Sequence, residues 1–263
     1  KTLSLAGQWK SAIELAVPQP AKSRPSSSQL FNAMINPILP LKIKGAIWYQ
    51  GESNAERGEE YRILLKTMIK DWRNRWKSGE FPFFIVQLAN YMAAQNEPGE
   101  SLWAQLRNSQ DIVAQELKNC GLATAIDLGE ADNIHPQNKK DVGIRLALQA
   151  LRKTYHLKTV HCDCPRAISA KQDGQRIVVD FETEGFALKT NDRAEPREFA
   201  IGDGSGKYSW AASAKIAGTK VILKIQNKIS KPQKVRYAWA DNPKVNLYDE
   251  SGLPALPFEL QVK

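Results

Sequence analysis

The sequence predicts an α/β chain: a parallel sheet with helices on both faces, followed by an all-β module of sandwich type. Three observations lead there. Between about residues 43 and 155, short β-type apolar runs alternate with amphipathic helical ones, the order that builds a parallel sheet. After Cys164 the helical spacing stops, and β-rich runs follow one another between turn signals. At 263 residues, with 42% apolar and 25% charged residues, the chain can form two cores and has the composition of a soluble globular protein. The expected boundaries are 1–160 for the α/β part and 161–263 for the β module.

Each element has its own signal. Gln29 to Ile38 reads as one amphipathic helix closed by Pro37 and Pro40, after a Pro/Ser-rich loop from Val17 to Ser28. The run 43–49 is a short strand. Tyr61, Leu64, Leu65, Met68, Ile69, Trp72 and Trp76 recur at helical spacing. Phe83 to Leu88, introduced by Pro82, is β-rich. Ser101 is a natural N-cap for a second helix running through Leu106, Ile112, Val113 and Leu117. A strand at 121–128 and a loop follow, then a third helix through Val142, Leu146, Ala150 and Leu151. Nothing before residue 40 resembles a first strand, and sheets avoid open edges, so further strands are expected on the N-terminal side. In the β module, runs at 176–181, 209–216, 221–225 and 235–239 are separated by turn signals. These are Asp173-Gly174, Asp203-Gly204-Ser205-Gly206 and Ala217-Gly218-Thr219.

Charge and composition exclude several functions. The net charge of +9 and pI near 9.4 suggest nucleic acid. The basic residues, however, are scattered on helix faces beside acids (Glu59, Glu60, Lys66, Lys70, Asp71, Arg73, Arg75), with no aromatic-interleaved stripe. A solvated basic surface is the expectation, with no nucleic-acid partner. No apolar run approaches the roughly 20 residues of a membrane span, so no membrane insertion is expected. Residues 1–9 lack the apolar core of a signal peptide, and Lys1 in place of Met points to sequence removed upstream. Cys120, Cys162 and Cys164 are odd in number. His161-Cys162-Asp163-Cys164 faintly resembles a metal cluster but has no second ligand cluster at zinc spacing, so buried thiols at an interdomain turn are expected and no metal site.

The chemistry concentrates around one of the three histidines. Asp132-Asn133-Ile134-His135-Pro136 directly follows Leu122 to Leu128, so the imidazole stands on a loop leaving a strand. An Asp three residues before it could orient the ring, which is the base half of a serine-hydrolase site. Ligands of parallel sheets bind beyond the strands' carboxyl ends, where Gln50-Gly51-Glu52 also falls. His156 and His161 have no comparably placed acid, and packing or surface roles are expected for them. Trp48, Trp72, Trp76 and Trp103 are read as core; Tyr49 is the one of these aromatics for which core packing is not the first expectation.

Three stretches together resemble one family. They are Lys44-Gly45-Ala46-Ile47-Trp48-Tyr49-Gln50-Gly51-Glu52-Ser53-Asn54, Met68-Ile69-Lys70-Asp71-Trp72-Arg73, and Asp127-Leu128-Gly129-Glu130 with Asp132 to Pro136. They resemble the carboxyl-terminal portion of a sialate O-acetylesterase of the GDSL/SGNH hydrolase superfamily. The resemblance extends through Phe83 to Leu88, Ser101 to Arg107 and Gly252 to Phe258. It implies a three-layer SGNH-type fold, incomplete at its N-terminal side, and hydrolysis of sugar O-acetyl esters, those of sialic acids first, by Ser-His-Asp chemistry without metal or organic cofactor. In such enzymes the serine stands in a Gly-Gln-Ser-Asn block. Gly7-Gln8-Trp9 begins like it but has no serine, so the nucleophile is expected on an upstream segment of the same polypeptide and the isolated chain is expected to be nearly inactive.

The resemblance also assigns roles. His135 is the general base and Asp132 holds its tautomer. Gln50 and the Gly51 N–H line the oxyanion region, while Glu52 braces that loop. Ser53, between a strand and a helix, imitates a nucleophile elbow but lies in the block that serves the substrate side. A secreted, periplasmic or lysosomal-type compartment is implied. Alternative readings are an acetylesterase acting on xylan or another glycan, and a noncatalytic glycan-binding fragment.

Overall fold

The computed structural model describes residues 28–263. The chain start, the Gly7-Gln8-Trp9 motif and residues 17–27 of the expected loop lie outside the described residues. Ile43–Lys263 form one compact unit, distinct from the segment 28–42. That segment is not the single helix expected. A wide π turn, Phe31–Ile35, passes into a 3₁₀ turn, Asn36–Ile38, with Pro37 at its start. Pro37 cannot donate to the ladder and its ring crowds the preceding turn, which breaks α geometry there. Leu30 and Met34 remain 67% and 64% exposed, so the apolar face is not buried.

The parallel sheet has the order β1 (Ala46–Trp48), β2 (Phe83–Gln87), β3 (Cys120–Thr124). β2 is buried along its whole length, as a central strand covered on both faces should be. Alternation along it separates the faces. Phe83 meets Trp72 of α1 (Gly58–Trp76), and Gln87 donates to the Arg107 carbonyl of α2 (Leu102–Glu116). Val86, on the other face, packs with Val142 of α3 (Lys139–Gln149). Helices thus lie on both sides. Ser101 caps α2 as expected, its Oγ accepting from Ala104 N–H at 2.9 Å.

Several boundaries differ from the sequence reading. The first strand is three residues long rather than seven. The third strand ends at Thr124, because Ala125 and Leu128 close a turn that releases Asp127 toward α3. After Gln149 the last helix widens into a π turn, Ala150–Thr154. Arg73 is not part of a solvated surface. It is buried, with its guanidinium on the Phe81 and Lys118 carbonyls and Glu80.

The remaining strands are antiparallel. One sheet has the order β4 (Arg166–Asp173), β5 (Arg176–Glu182), β10 (Lys220–Lys224), β9 (Ser213–Ala217). The second runs β13 (Phe258–Gln261), β11 (Lys234–Tyr237), β7 (Phe199–Gly202), β8 (Tyr208–Trp210). β6 (Leu188–Thr190) and β12 (Leu247–Asp249) form a separate pair. Both four-stranded sheets contribute to one apolar core, with Ile177, Val179, Val221 and Leu223 from the first and Phe199, Ile201, Val235 and Tyr237 from the second. The expected turns at 173–174 and 217–219 close the β4–β5 and β9–β10 hairpins. The run 209–216 is not one strand. Its residues divide between β8 and β9, in different sheets, across the corner Ala211-Ala212. No helix among the described residues is long and apolar enough to cross a membrane.

Candidate active site

Three loops leave the carboxyl ends of β1, β2 and β3, and the sequence-predicted residues lie on the first and third. Two strand spacings separate these loops, about 10 Å.

The first loop turns at Gly51, whose φ is +148°. A Cβ there would stand 2.8 Å from Leu106 Cδ2, so only glycine fits the turn. The Tyr61 hydroxyl and Gln110 Nε2 each donate to the Gln50 carbonyl at 3.0 Å, while Gln110 Oε1 accepts from Leu88 N–H. One side chain thereby ties the end of β1 to the end of β2. The Gln50 amide donates to Asn54 Oδ1 at 3.0 Å. Glu52 is half-buried and opens a 3₁₀ turn, Glu52–Arg57. Its carboxylate makes no hydrogen bond among the described residues, so the loop is braced by Gln50, Tyr61 and Gln110. Burial, with the Glu52 charge behind it, pushes the Tyr49 hydroxyl up to about 12. Tyr49 packs beside the cluster of Val86, Ala89, Ala125 and Val142, and Lys139 Nζ lies 4.9 Å from its ring centroid.

The third loop is held at both ends. Arg145 clasps Asp127 at 2.6 and 2.7 Å, and the Tyr248 hydroxyl donates to the same carboxylate at 2.9 Å. Farther along, Glu130 accepts from Gln137 N–H at 2.7 Å and from Asn133 Nδ2 at 3.1 Å, two bonds that hold its pKa below the usual carboxylate value. Asn133 Oδ1 accepts from the His135 backbone N–H at 3.0 Å. Asp132 and His135 both project from this braced segment and are exposed. They share one loop, but no hydrogen bond joins their side chains among the described residues. Catalytic hydrogen bonds are often long in unliganded enzymes and tighten when substrate arrives.

Between them, Asn90 links all three chain regions. Its Oδ1 accepts from Gly129 N–H at 2.6 Å and its Nδ2 donates to Asn242 Oδ1 at 2.7 Å. Beneath lies Arg107, fully buried, donating to the carbonyls of Leu88, Ala89, Ala240 and Asp241 at 2.7–2.9 Å. Burial pulls its pKa down to about 9, while Asp241 and Tyr49 act the other way, so it stays charged at neutral pH. Sequence reasoning missed Asn90, Arg107, Gln110 and Glu130. Arg107 had a signal: it lies with Trp103, Leu106, Gln110 and Val113 on the buried stripe of α2, where an unpaired cation would be costly.

His161 requires a correction. Glu184 lies 2.9 Å from its Nδ1 and Asp249 2.9 Å from its Nε2, acids too distant in sequence to be read as partners. The three cysteines are buried and unbridged, and burial pushes Cys162 and Cys164 up to about 12. No group of metal-binding side chains occurs among the described residues.

Comparison with known proteins leads to the carbohydrate esterases. The model of the sialic acid-specific acetylesterases matches residues 19–152. Sialate O-acetylesterase of Mus musculus is 30% identical, covering 89% of this chain and 47% of that protein. The Homo sapiens enzyme is 26% identical, over 92% of this chain and 51% of its own. A solved carbohydrate acetylesterase from Xanthomonas citri superposes with a TM-score of 0.81 at 38% identity, covering 88% of this chain and 53% of that one. The chain belongs to the sialic acid-specific acetylesterase family of carbohydrate esterases. It spans about half the length of the curated relatives it matches.

Proposed function

We propose that this chain supplies the acid–base half of a carbohydrate O-acetylesterase. His135 removes the proton of a serine carried on an upstream block of the polypeptide, then returns it to the departing sugar oxygen. Asp132 orients the ring. The Gln50 amide, through the N–H that it does not give to Asn54, and the Gly51 N–H, at the end of β1, serve the oxyanion that forms when the serine attacks the acetyl carbonyl. Glu52 belongs to the sugar side of the site. Sialic acid is the sugar carried by the family's name, and an ester on xylan or another glycan is the second reading, favoured by the acidic residues Glu56, Glu100 and Asp241 that share a cleft with Glu52. A secreted or otherwise extracytoplasmic compartment goes with either substrate.

The observation that supports this reading is the placement of the Asp132–His135 loop and the Gln50–Glu52 loop at one edge of a parallel sheet, in a chain of this family. The test compares p-nitrophenyl acetate hydrolysis by this chain alone and by a longer polypeptide that includes the upstream block. The longer form should turn over, and His135→Ala should lower its kcat about 10³-fold or more with an unchanged far-UV spectrum. Full activity of the chain alone, lost in Ser53→Ala, would transfer the nucleophile's role to Ser53.

A further inference from the structure

A cleft of about 620 Å³ opens beside Glu52, between the 3₁₀ turn, the start of α2 and the β-module residue Asp241. Its volume is that of a small-ligand site. We infer that this cleft is the sugar subsite and that it takes an uncharged, hydroxyl-rich saccharide rather than a carboxylated one. The inference rests on the esterase reading above and names its substrate class.

The cleft has an apolar floor that is already in place. Met92 holds a φ of +72°, unfavourable for a residue with a side chain. Two hydrogen bonds fix it there: its N–H donates to Ala131 O at 3.0 Å, and its carbonyl accepts from Asn242 Nδ2 at 2.5 Å. Its side chain is 40% exposed, and Leu102, also on the cleft, is 47% exposed. Such side chains suit the C–H faces of a pyranose. The segment from Met92 to Glu100 is strapped to the β module at two further points. Trp210 Nε1 donates to Asn96 O at 2.8 Å, and Arg236 bonds Gly99 O at 3.0 Å and Glu100 at 2.8 Å. A wall fixed in this way does not have to be ordered by the ligand, which favours binding.

Charge then selects the sugar. Four carboxylates line the cleft: Glu52, Glu56, Glu100 and Asp241. Glu100 is paired with Arg236, and Asp241 feels the buried Arg107. Among the described residues Glu52 and Glu56 have no cationic partner, and no Lys or Arg lines the cleft. Free carboxylates accept hydrogen bonds from sugar hydroxyls. Each repels a sugar carboxylate brought to about 4 Å by roughly three- to tenfold in affinity. The chain's net charge of +9 acts at longer range and is screened there.

Titration of the ¹⁵N-labelled chain tests this, with an acetylated xylo-oligosaccharide as the neutral probe and 9-O-acetyl-N-acetylneuraminic acid as the anionic one. The neutral probe should shift the amides of Ser53, Met92 and Leu102. Met92→Gly, which relieves the backbone while removing the floor, and Leu102→Ala should each weaken it about tenfold. The anionic probe should leave these amides unmoved in the wild-type chain and shift them in Glu52→Gln/Glu56→Gln. Equal or tighter binding of the anionic probe at the wild-type cleft, or a neutral probe that leaves the cleft amides unmoved, would overturn the inference. Binding is read without turnover. A chain that binds as expected, within a longer polypeptide that fails to hydrolyse, would therefore refute only the esterase reading.

Discussion

Arg107→Met should destabilise the fold by about 3 kcal/mol. Methionine roughly fills the arginine volume, so the change isolates the polar role from packing. The guanidinium serves four carbonyls, two from the end of β2 and two from the β module. The Ala89 carbonyl keeps a donor in Trp103 Nε1, and that of Asp241 keeps Tyr91 N–H. The carbonyls of Leu88 and Ala240 keep none among the described residues. An orphaned buried carbonyl costs about 1–3 kcal/mol, so the pair costs about 2–6 kcal/mol, and relief from burying a cation offsets part of that. Urea unfolding, followed by tryptophan fluorescence and far-UV circular dichroism, measures the difference. Arg107→Lys should recover less than half of it, because one ammonium cannot span four acceptors as the planar fork does. A loss below about 0.5 kcal/mol in Arg107→Met would show that the β module docks without this residue.

Two further perturbations address the His135 loop. Folding lowers the Glu130 pKa from its ordinary 4.5, so its contribution is complete above that value and lost as pH falls through the lower folded-state one. The protection factor of the Gln137 amide, its exchange rate taken relative to the intrinsic rate at the same pH, should therefore fall in acid, and Glu130→Gln should lower it already at neutral pH and leave it nearly flat below; unchanged protection would dismiss the brace. A Cβ on Gly129 would stand 1.8 Å from the Asn90 carbonyl, so Gly129→Ala should cost about 3 kcal/mol or more and lower Tm by roughly 6–12 °C. Gly143→Ala, in open space on α3, should instead raise Tm slightly, and equal effects at the two sites would show that the contact is not tight.

The parts of the fold that were legible in the sequence are those where local periodicity and burial agree. α1 and α2 bury one stripe each, and β2 is buried throughout and apolar from Phe83 to Val86, so pattern alone defines them. The segment 29–38 shows the limit. It carries a helical pattern, yet no buried surface rewards the helix and Pro37 interrupts it. The run 209–216 shows another, since a strand that changes sheets at a corner looks continuous in sequence. At the candidate site, Asp132, His135 and Gln50 could be read because they stand in short contiguous motifs. Their supports could not, because Asn90 with Asn242 and Asp127 with Tyr248 meet across 121–152 residues of chain.

That long separation bears on what the β module is for. If it were only a tethered glycan binder, its contacts with the α/β part would avoid the ends of the parallel strands. Instead Tyr248 bonds Asp127 after β3, Asn242 bonds Asn90 and Met92 after β2, and Arg107 holds residues 240 and 241 under the same edge. Strand-end loops are the least constrained part of a parallel sheet, and chemistry between two of them needs sub-ångström placement. The parallel sheet fixes where each loop starts, and the module fixes where two of them go. Both the His135 loop and the Met92 wall of the cleft beside Glu52 depend on residues 240–248, so changes in that span should be felt at the strand ends before they are felt in the module's own core.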